Sequence, residues 1–463
     1  MFAFVRPAAP LNRYIQNVPL NYIHLAAYLR TRGFAPLIFD MVFDDMPLER
    51  VDEEIRKQGI CIVGIGCMTC EFPQAVELAR RLRANHAGLK IVFGGAHASG
   101  DPEGCLATGV VDYVISGEGE IALAELLDCL KHGGEPSGIR GVWYLNGAEI
   151  VAGGSAEVPD VRKLARPAYD LLDLEKYFQL DSPWHFPKSN RAVQFITERG
   201  CPYQCSYCHE IHTKKFRAVE ATEVVNQMEW LIKTYGVREF MIVDDIFNFD
   251  LERAKAICRE IVRRDLRVHL QFPNGLRGDR MDEELIALMR AAGTHFIAIA
   301  FETVSRKFQK LVRKNLDVAK AEQSMVWAQQ QGIEVSGFFM IGFPGETLEE
   351  ARLTLDFAIK GPFDSIFISI VTPFKGTRLR SDVVQGRFGE VGLAGLDSLF
   401  PVIENRALPE TTLIRLQREA YWRFYTKFRI AGRLALRMVN CRSIAKVARA
   451  IAERTVRSRS RIN

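Results

Sequence analysis

Three cysteines lie within eight positions of one another, in the stretch CPYQCSYC at Cys201, Cys205 and Cys208. Thiolates hold iron–sulfur clusters, and a closed [4Fe–4S] cluster uses four of them. Three ligands in the spacing C-x3-C-x2-C would therefore leave one iron open to a further molecule. Structural zinc is the alternative, since His209 or His212 could complete the four Cys or His ligands that zinc takes. The spacing favours an iron–sulfur cluster over zinc.

The chain of 463 residues has the composition of an ordinary globular protein, with 48% hydrophobic and 25% charged residues. This balance excludes disordered and fibrous proteins. The N-terminus has no apolar stretch behind a basic start, and no run of about 18 apolar residues follows. We therefore expect a cytoplasmic protein, in which tightly spaced cysteines indicate a metal site rather than disulfide bonds. The other cysteines are scattered and are expected to be small core residues.

Alternating strand and helix signals from Arg191 onwards predict how the three cysteines are positioned. Six apolar strand segments separated by helical segments predict a partial (β/α)6 barrel over residues 191–400. The chemistry of such barrels takes place at the carboxyl ends of their strands. The cysteine run follows the first strand directly, so we expect it in a loop at the barrel mouth. The strand segments are AVQFIT, EFMIVDD, VHLQFPN, FIAIAFET, VSGFFMIGF and SIFISIVTPF.

A second alternating pattern occupies residues 1–145 and predicts a separate Rossmann-like domain. Continuous apolar strands separated by helices are typical of a doubly wound parallel sheet. Ligands of such sheets bind at the carboxyl ends of the strands, which here carry GCMTC, GGAHAS and SGEGE. Residues 146–190 are predicted to be a linker that begins with a hairpin turning at Asn146 and Gly147. The predicted fold class is therefore α/β.

The cysteine run and four later segments resemble the radical S-adenosylmethionine (SAM) enzymes. An aromatic residue precedes the third cysteine in that family, as Tyr207 does here. The resemblance extends over residues 191–379, through VDDIFNFD, AFETVS, GFFMIGFPGET and TPFKGTRL. It implies that the open iron binds the amino and carboxylate groups of SAM. It also implies that the reduced cluster cleaves SAM to a 5′-deoxyadenosyl radical.

The same resemblance implies a set of SAM-binding residues near the strand ends. Glu302 and Thr303 would hydrogen-bond the ribose or the methionine end of SAM, and Tyr207 would border the adenine. A buried, ion-paired acid is the alternative interpretation of Glu302, and a strand-end cap is the alternative for Asp244. The complete predicted set is Tyr207, Asp244, Glu302, Thr303, Ile341 and Gly342.

Residues 1–145 resemble the cobalamin-binding domain that precedes many radical SAM barrels, through IVGIGCMT, IVFGGAHAS and VISGEGE. Glycines at strand ends would let the flat macrocycle approach the backbone. The Asp-x-His-x-x-Gly loop of other cobalamin modules is missing, because Val42 stands where its histidine would be. We therefore expect no histidine from this loop beneath the cobalt. A domain that has lost its ligand, or one that contacts another protein, is the alternative. The predicted contacts are Thr69, Gly94, Gly95, His97, Gly117, Glu118 and Gly119.

The C-terminal extension, residues 401–463, is predicted to be helical and basic. From residue 420 onwards it carries twelve lysines and arginines against one glutamate, in a chain of net charge +5. We expect residues 410–436 to pack on the barrel through their aromatic side chains. Basic segments bind nucleic acid or anionic membrane surfaces. Because no nucleic-acid-binding fold accompanies the extension, we expect Lys446–Asn463 to contact the inner membrane peripherally and no nucleic acid to bind.

These resemblances together imply a cobalamin-dependent radical SAM enzyme, similar to the class B methyltransferases, that methylates an unactivated carbon of a small-molecule or lipid-like substrate. One SAM would supply the methyl group by way of cobalamin and another the radical, with electrons from an external donor such as flavodoxin or ferredoxin. A radical cyclase, oxidase or ring-rearranging enzyme is the alternative reaction class. A non-enzymatic zinc sensor or scaffold is a third hypothesis. Methylthiotransferases are excluded, because the first domain lacks a three-cysteine set and the chain ends in helices.

Overall fold

The computed structural model describes residues 1–8, 18–43, 45–180, 187–388, 392–394, 402–405 and 407–432. Within these residues the chain forms two α/β units, each built on one large sheet, and then a C-terminal helix. The predicted α/β fold class is therefore confirmed.

The first sheet has strands parallel in its first part and antiparallel at its end. Its strands are β1 (Phe2–Arg6), β2 (Leu37–Asp40), β3 (Ile62–Gly66), β4 (Lys90–Gly94), β5 (Tyr113–Ile115), β6 (Val142–Asn146) and β7 (Glu149–Val151). They lie in the order β2-β1-β3-β4-β5-β6-β7, and only the last two pairings are antiparallel. Apolar cores cover both faces, as a doubly wound sheet requires.

Helices on both faces of this sheet connect its strands, and a short helix follows in the predicted linker. They are α1 (Leu20–Thr31), α2 (Leu48–Gln58), α3 (Phe72–Asn85), α4 (Ala96–Gly100), α5 (Pro102–Leu106), α6 (Gly119–Lys131) and α7 (Leu174–Phe178). Helix α2 ends at Gly59, whose φ of 61° is the left-handed conformation that suits a glycine at a helix end.

Two features of the first sheet differ from the sequence prediction. Strand β1 was not predicted. A short apolar run without flanking turn residues fits a strand and a buried helical segment equally well. Strand β1 lies between β2 and β3 and pairs with both. In the hairpin, Asn146 pairs with Glu149, so Gly147 and Ala148 form the two-residue loop, one position later than predicted. The hairpin extends the sheet into the predicted linker.

The second sheet consists of six parallel strands in sequential order, which confirms the partial barrel. They are β8 (Ala192–Phe195), β11 (Glu239–Ile242), β12 (His269–Leu276), β13 (Thr294–Glu302), β14 (Glu334–Ile341) and β15 (Ser365–Ile370). A short antiparallel ribbon, β9 (Glu198–Arg199) and β10 (Arg217–Ala218), stands between β8 and the next helix. This ribbon closes the loop that carries the three cysteines.

Helices cover the outer face of the second sheet, and all but one of them share one continuous apolar core with it. The exception is the helix Arg306–Leu311, which packs in a separate apolar cluster. The helices are α8 (Ala221–Tyr235), α9 (Leu251–Arg263), α10 (Glu283–Ala291), α11 (Arg306–Leu311), α12 (Val318–Gln330) and α13 (Leu348–Lys360). Four of them begin at a side chain that accepts a backbone N–H of the first turn, the preferred way to start a helix. These capping residues are Asp250, Asp282, Asp317 and Thr347.

The C-terminal elements pack against the barrel. They are α14 (Arg378–Val384), the pair β16 (Gly392–Ala394) and β17 (Val402–Glu404), and α15 (Glu410–Tyr425). Helix α15 buries Leu413, Leu416 and Phe424 in the barrel core. Gln417 donates to the carbonyl oxygen of Ile368 at 2.7 Å, so α15 also covers the edge strand β15.

The position of α15 agrees with the expectation that residues 410–436 pack on the barrel, as far as the described chain reaches. Lys446–Asn463, for which we expect membrane contact, lie outside the described residues. Among the described residues, no helix is both long and apolar enough to cross a membrane.

Candidate functional site

The cysteine loop leaves β9 and returns at β10, so its two ends lie side by side. Gly200 permits this closure: its φ is 92°, and an added Cβ would lie 2.2 Å from the carbonyl oxygen of Lys215. Its N–H donates to Asp245 Oδ2 at 2.7 Å, and the same oxygen pairs with His212 Nδ1 at 2.6 Å. The loop is thereby fixed at the carboxyl end of the neighbouring strand β11.

Ser206 anchors the middle of the cysteine loop. Its N–H donates to the carbonyl oxygen of Val312 at 2.9 Å, and its carbonyl oxygen accepts from Leu379 at 2.7 Å. The predicted ligands Cys201, Cys205 and Cys208 therefore lie in one loop tied to α11 and α14. In the described chain no three Cys, His, Asp or Glu side chains surround a single point as the ligands of one metal ion do. A cubane cluster needs one thiolate per iron instead.

The loop environment favours a thiolate at Cys205. A hydrogen bond from the Cys208 thiol lowers the pKa of Cys205 to about 6, and the ammonium group of Lys314 acts in the same direction. Thiolates rather than thiols bind metal. The loop thus offers a negatively charged ligand next to a buried cation.

Two of the predicted SAM residues meet beside these cysteines. Glu302 ends β13 with a φ of 64°, an uncommon value for a residue other than glycine. Its Oε1 accepts from Tyr207 Oη at 3.1 Å and from Lys314 Nζ at 3.1 Å. Glu302 is thus ion-paired within the protein, in line with the alternative interpretation of this residue. Lys314 was not among the residues predicted from the sequence.

The other predicted SAM residues are placed as follows. Thr303 is fully buried and its hydroxyl lies 3.1 Å from that of Thr354. Asp244 accepts from the N–H and the hydroxyl of Thr197, and burial raises its pKa to about 6. These contacts fit a strand-end cap for Asp244 and a packing role for Thr303. Their assignment as SAM contacts stays a prediction.

Ile341 and Gly342 continue β14 into the barrel mouth. Ile341 is fully buried, and Gly342 has a φ of 91°. The N–H of Gly342 donates to Glu346 Oε2 at 2.5 Å. Burial raises the pKa of Glu346 to about 7. Glu346 therefore shapes this turn, although it was not among the predicted residues.

A cavity of about 330 Å³ lies at the carboxyl ends of β3, β4 and β5. Its walls are largely apolar and glycine-rich, and they reach between the sheet and helices α1 and α6. Five predicted cobalamin contacts line it: Gly94, Gly95, Gly117, Glu118 and Gly119. An added Cβ at Gly94 would meet nothing within 4 Å, so this wall leaves room for a flat ligand against the backbone.

Thr69 and His97 do not line this cavity. They contact each other, with His97 Nδ1 lying 3.3 Å from Thr69 Oγ1. The His97 ring also packs on Phe72, with centroids 4.0 Å apart, and burial lowers its pKa to about 4. Their role as cobalamin contacts stays a prediction.

Side chains that were not predicted to contact cobalamin complete the cavity. His24 comes from α1, and Ile196, Arg199, Ile211 and His212 come from the second unit. Burial and the nearby charge of Arg199 lower the pKa of His24 to about 3, so its imidazole is neutral at ordinary pH. Because His212 and Ile211 belong to the cysteine loop, the cavity lies between the two units and next to that loop.

A buried ion network joins the two units at the same place. Arg199 of β9 lies 3.0 Å from Glu118 and 2.7 Å from Glu120. Arg217 of β10 also pairs with Glu118 and donates to the carbonyl oxygen of Pro159 at 3.0 Å. Glu118, a predicted cobalamin contact, therefore holds the base of the cysteine loop against the first sheet.

Comparison with known proteins gives the class to which this architecture belongs. Residues 11–127 match the B12 binding domain, and residues 195–358 match the Radical SAM superfamily. The chain therefore belongs to the B12-binding radical SAM enzymes. The cofactors are accordingly a [4Fe–4S] cluster, SAM and cobalamin.

Several relatives match most of the chain. An uncharacterised methyltransferase of Pyrococcus horikoshii is 27% identical over 88% of both chains. The cytidylyl-2-hydroxyethylphosphonate methyltransferase of Streptomyces wedmorensis is 26% identical, covering 80% of this chain and 78% of its own. The anaerobic magnesium-protoporphyrin IX monomethyl ester cyclase of Rubrivivax gelatinosus is 24% identical over 73% of this chain and 61% of its own.

Solved structures share the fold. The radical SAM methyltransferase TsrM from Kitasatospora setae, with cobalamin and a [4Fe–4S] cluster bound, has a TM-score of 0.74 at 18% identity and covers 91% of this chain and 88% of its own. The cobalamin-dependent SAM radical enzyme OxsB also has a TM-score of 0.74, at 17% identity, covering 91% of this chain and 66% of its own. At these identities the likeness shows the fold alone.

The glycine wall gives a test of where cobalamin binds. Gly94→Leu should weaken cobalamin binding by at least about tenfold, or ~1.4 kcal/mol, because the new side chain would fill space that the fold leaves open. Absorbance of the anaerobically loaded, desalted protein measures the bound cobalamin. Gly432→Leu is the matched control, since an added Cβ there also meets nothing within 4 Å. Full cobalamin content in the Gly94→Leu protein would place the ligand elsewhere.

Proposed function

We propose that this protein is a cobalamin-dependent radical SAM methyltransferase that methylates an unactivated carbon of a small-molecule or lipid-like substrate. The observation that carries this proposal is the position of the glycine-rich cavity, which the cysteine loop itself helps to line through Ile211 and His212. Two cofactors bound at these places would lie close to each other at the junction of the units. The methyltransferases among the relatives support the same reaction.

When bound, the cluster and cobalamin would supply the radical and the methyl-group chemistry. The protein supplies binding, orientation and exclusion of water. The three cysteines would hold three irons, and Tyr207, Glu302 and Lys314 form a hydrogen-bonded group beside them where SAM would bind. The buried network of Glu118 and Arg199 would keep the two cofactors at a constant separation. The electron that starts the reaction would come from an external donor such as flavodoxin or ferredoxin.

A radical cyclase is the second candidate. Its support is the similarity to the anaerobic magnesium-protoporphyrin IX monomethyl ester cyclases, which covers 73% of this chain for the Rubrivivax gelatinosus protein. The fold and the cofactors are compatible with both reactions, because fold does not determine function.

The fate of the SAM methyl group separates the two candidates. With SAM deuterated in its methyl group, the product of the methyltransferase should gain the label, as measured by mass spectrometry. S-adenosylhomocysteine and 5′-deoxyadenosine should form in comparable amounts, because one SAM gives its methyl group and another gives the radical. An unlabelled product accompanied by 5′-deoxyadenosine alone would exclude methyl transfer and favour the cyclase.

A further inference from the structure

The concave face of the second sheet carries exposed aromatic surface on its edge strand. In β15, Ile366 and Ile368 point into the core beneath the helices. Because side chains alternate along a strand, Phe367 points to the opposite, concave face. Its side chain is 45% exposed there. A large apolar side chain left open inside the mouth of a barrel is available to a ligand.

Phe367 is part of a row of four uncharged residues that crosses four strands. Phe338 is its register partner on β14, and the two rings lie 5.9 Å apart at 65°. Ala300 of β13 is the register partner of Phe338. An added Cβ at Gly275 of β12 would lie 3.3 Å from the Cβ of Ala300 and 3.5 Å from the ring of Phe338. We call Gly275, Ala300, Phe338 and Phe367 the aromatic shelf, in which two small residues stand beside two large rings.

The aromatic shelf lies next to the predicted SAM-binding residues along β13 and β14. Two positions along β14 from Phe338 is Met340. Two positions along β13 from Ala300 is Glu302, but a bulge between them makes Glu302 the register partner of Phe339. Met340 packs together with Tyr207 against the apolar cluster at the barrel mouth. Two residues of a regular strand span about 7 Å, and the bulge shortens this step on β13. A group lying on the shelf would therefore be within one side chain's length of the place where the radical forms.

We propose that the aromatic shelf is the substrate subsite and that it takes an uncharged, flat, apolar ring system. Ring faces stack on aromatic side chains in offset or edge geometry, and Gly275 and Ala300 leave the depth for such a ring beside Phe338. A phosphate or carboxylate placed on these four uncharged residues would lose hydration without an ion-pair partner among them. Lys314 is already paired with Glu302. This inference rests on the proposed function, because the shelf could receive the substrate only if SAM binds and is cleaved beside Glu302.

The shelf can be tested without knowing the natural substrate. We would record saturation-transfer difference NMR on the anaerobic, cofactor-loaded protein, with indole as the neutral aromatic probe and cytidine 5′-monophosphate as the charged probe. Indole should give a saturation-transfer difference signal, and the nucleotide should give none. Phe367→Asp should reduce the indole signal at least about threefold, because it removes the ring contact and adds a charge.

Leu353→Asp is the matched control, since Leu353 is 55% exposed on α13 at the outer surface. It should leave the indole signal unchanged. Phe367→Ser repeats the test without a charge in case the aspartate disturbs the fold, and cluster content reports on folding. Absence of indole saturation, an indole signal insensitive to Phe367, or nucleotide binding that depends on Phe367 would each overturn the shelf assignment. Failure of methyl transfer itself would be seen separately, in the fate of the deuterated methyl group.

Discussion

Cys205→Ala should abolish both the iron–sulfur cluster and SAM cleavage. Cys205 lies between the other two cysteines of the loop, and its thiol has a pKa lowered to about 6 by the Cys208 thiol. Without it, only two of the three predicted thiolate ligands would remain to hold the cluster. The anaerobically reconstituted variant should lack the brown colour, retain little iron and sulfide, and form no detectable 5′-deoxyadenosine from SAM and dithionite.

The control for this experiment is Cys129→Ala, since Cys129 is a free, partly buried cysteine of α6, away from the loop. It should keep full cluster content and full SAM cleavage. If Cys205→Ala also kept both, the cluster would have to be bound by other residues. If metal analysis of the wild-type protein found zinc instead of iron and sulfide, the result would support a structural zinc site.

The sequence predicted that two parallel sheets follow one another along the chain, because most of their strands have a clear local pattern. Parallel strands buried on both faces read as continuous apolar runs between helices, and all six strands of the barrel were found in this way. β1 was not predicted because the run FAFV at the start of the chain has no turn residues on either side that would mark a strand. The hairpin was found from Asn146 and Gly147, but its register depends on the pairing with Glu149, which a local pattern does not show.

The candidate site was predictable only in part because it is built from distant parts of the chain. Glycines at strand ends identified the cavity wall, since ligands of such sheets bind at that edge. His24 was not predicted because it belongs to a helix whose pattern indicates only core packing. Arg199 was not predicted because it lies just before the cysteine motif and not within it. Lys314 lies between Arg313 and Asn315, which both have positive φ values. No sequence pattern predicts that backbone conformation, so the position of Lys314 could not be predicted.

Glu118 has a structural role that its position in the sequence did not predict. Its position in SGEGE predicted a ligand contact, and it does line the cavity. Its carboxylate, however, pairs with Arg199 and Arg217, which are 81 and 99 residues away in sequence. The sequence contained both arginines, but only the fold brings them to this carboxylate.

Glu118→Ala should be among the most destabilising single substitutions at the junction of the two units. Removal of one partner from a buried ion pair leaves the other charge uncompensated and typically costs about 3–5 kcal/mol. Here Arg217 would keep the carbonyl oxygen of Pro159 and Arg199 would keep Glu120. We therefore expect a loss toward the lower end of that range, about 3 kcal/mol, in the free energy of unfolding measured by urea denaturation of the cobalamin-free protein.

The matched control is Glu77→Ala, which removes an exposed carboxylate that pairs with Arg80 at 2.8 Å. Exposed pairs contribute about 0–1 kcal/mol, so this variant should unfold at nearly the wild-type urea concentration. Because Glu118 joins the first sheet to the base of the cysteine loop, its loss should also increase proteolytic cleavage between the units, whereas Glu77→Ala should not. Equal urea midpoints for the two variants would show that the network contributes little. In that case apolar packing alone would hold the cobalamin cavity against the cysteine loop.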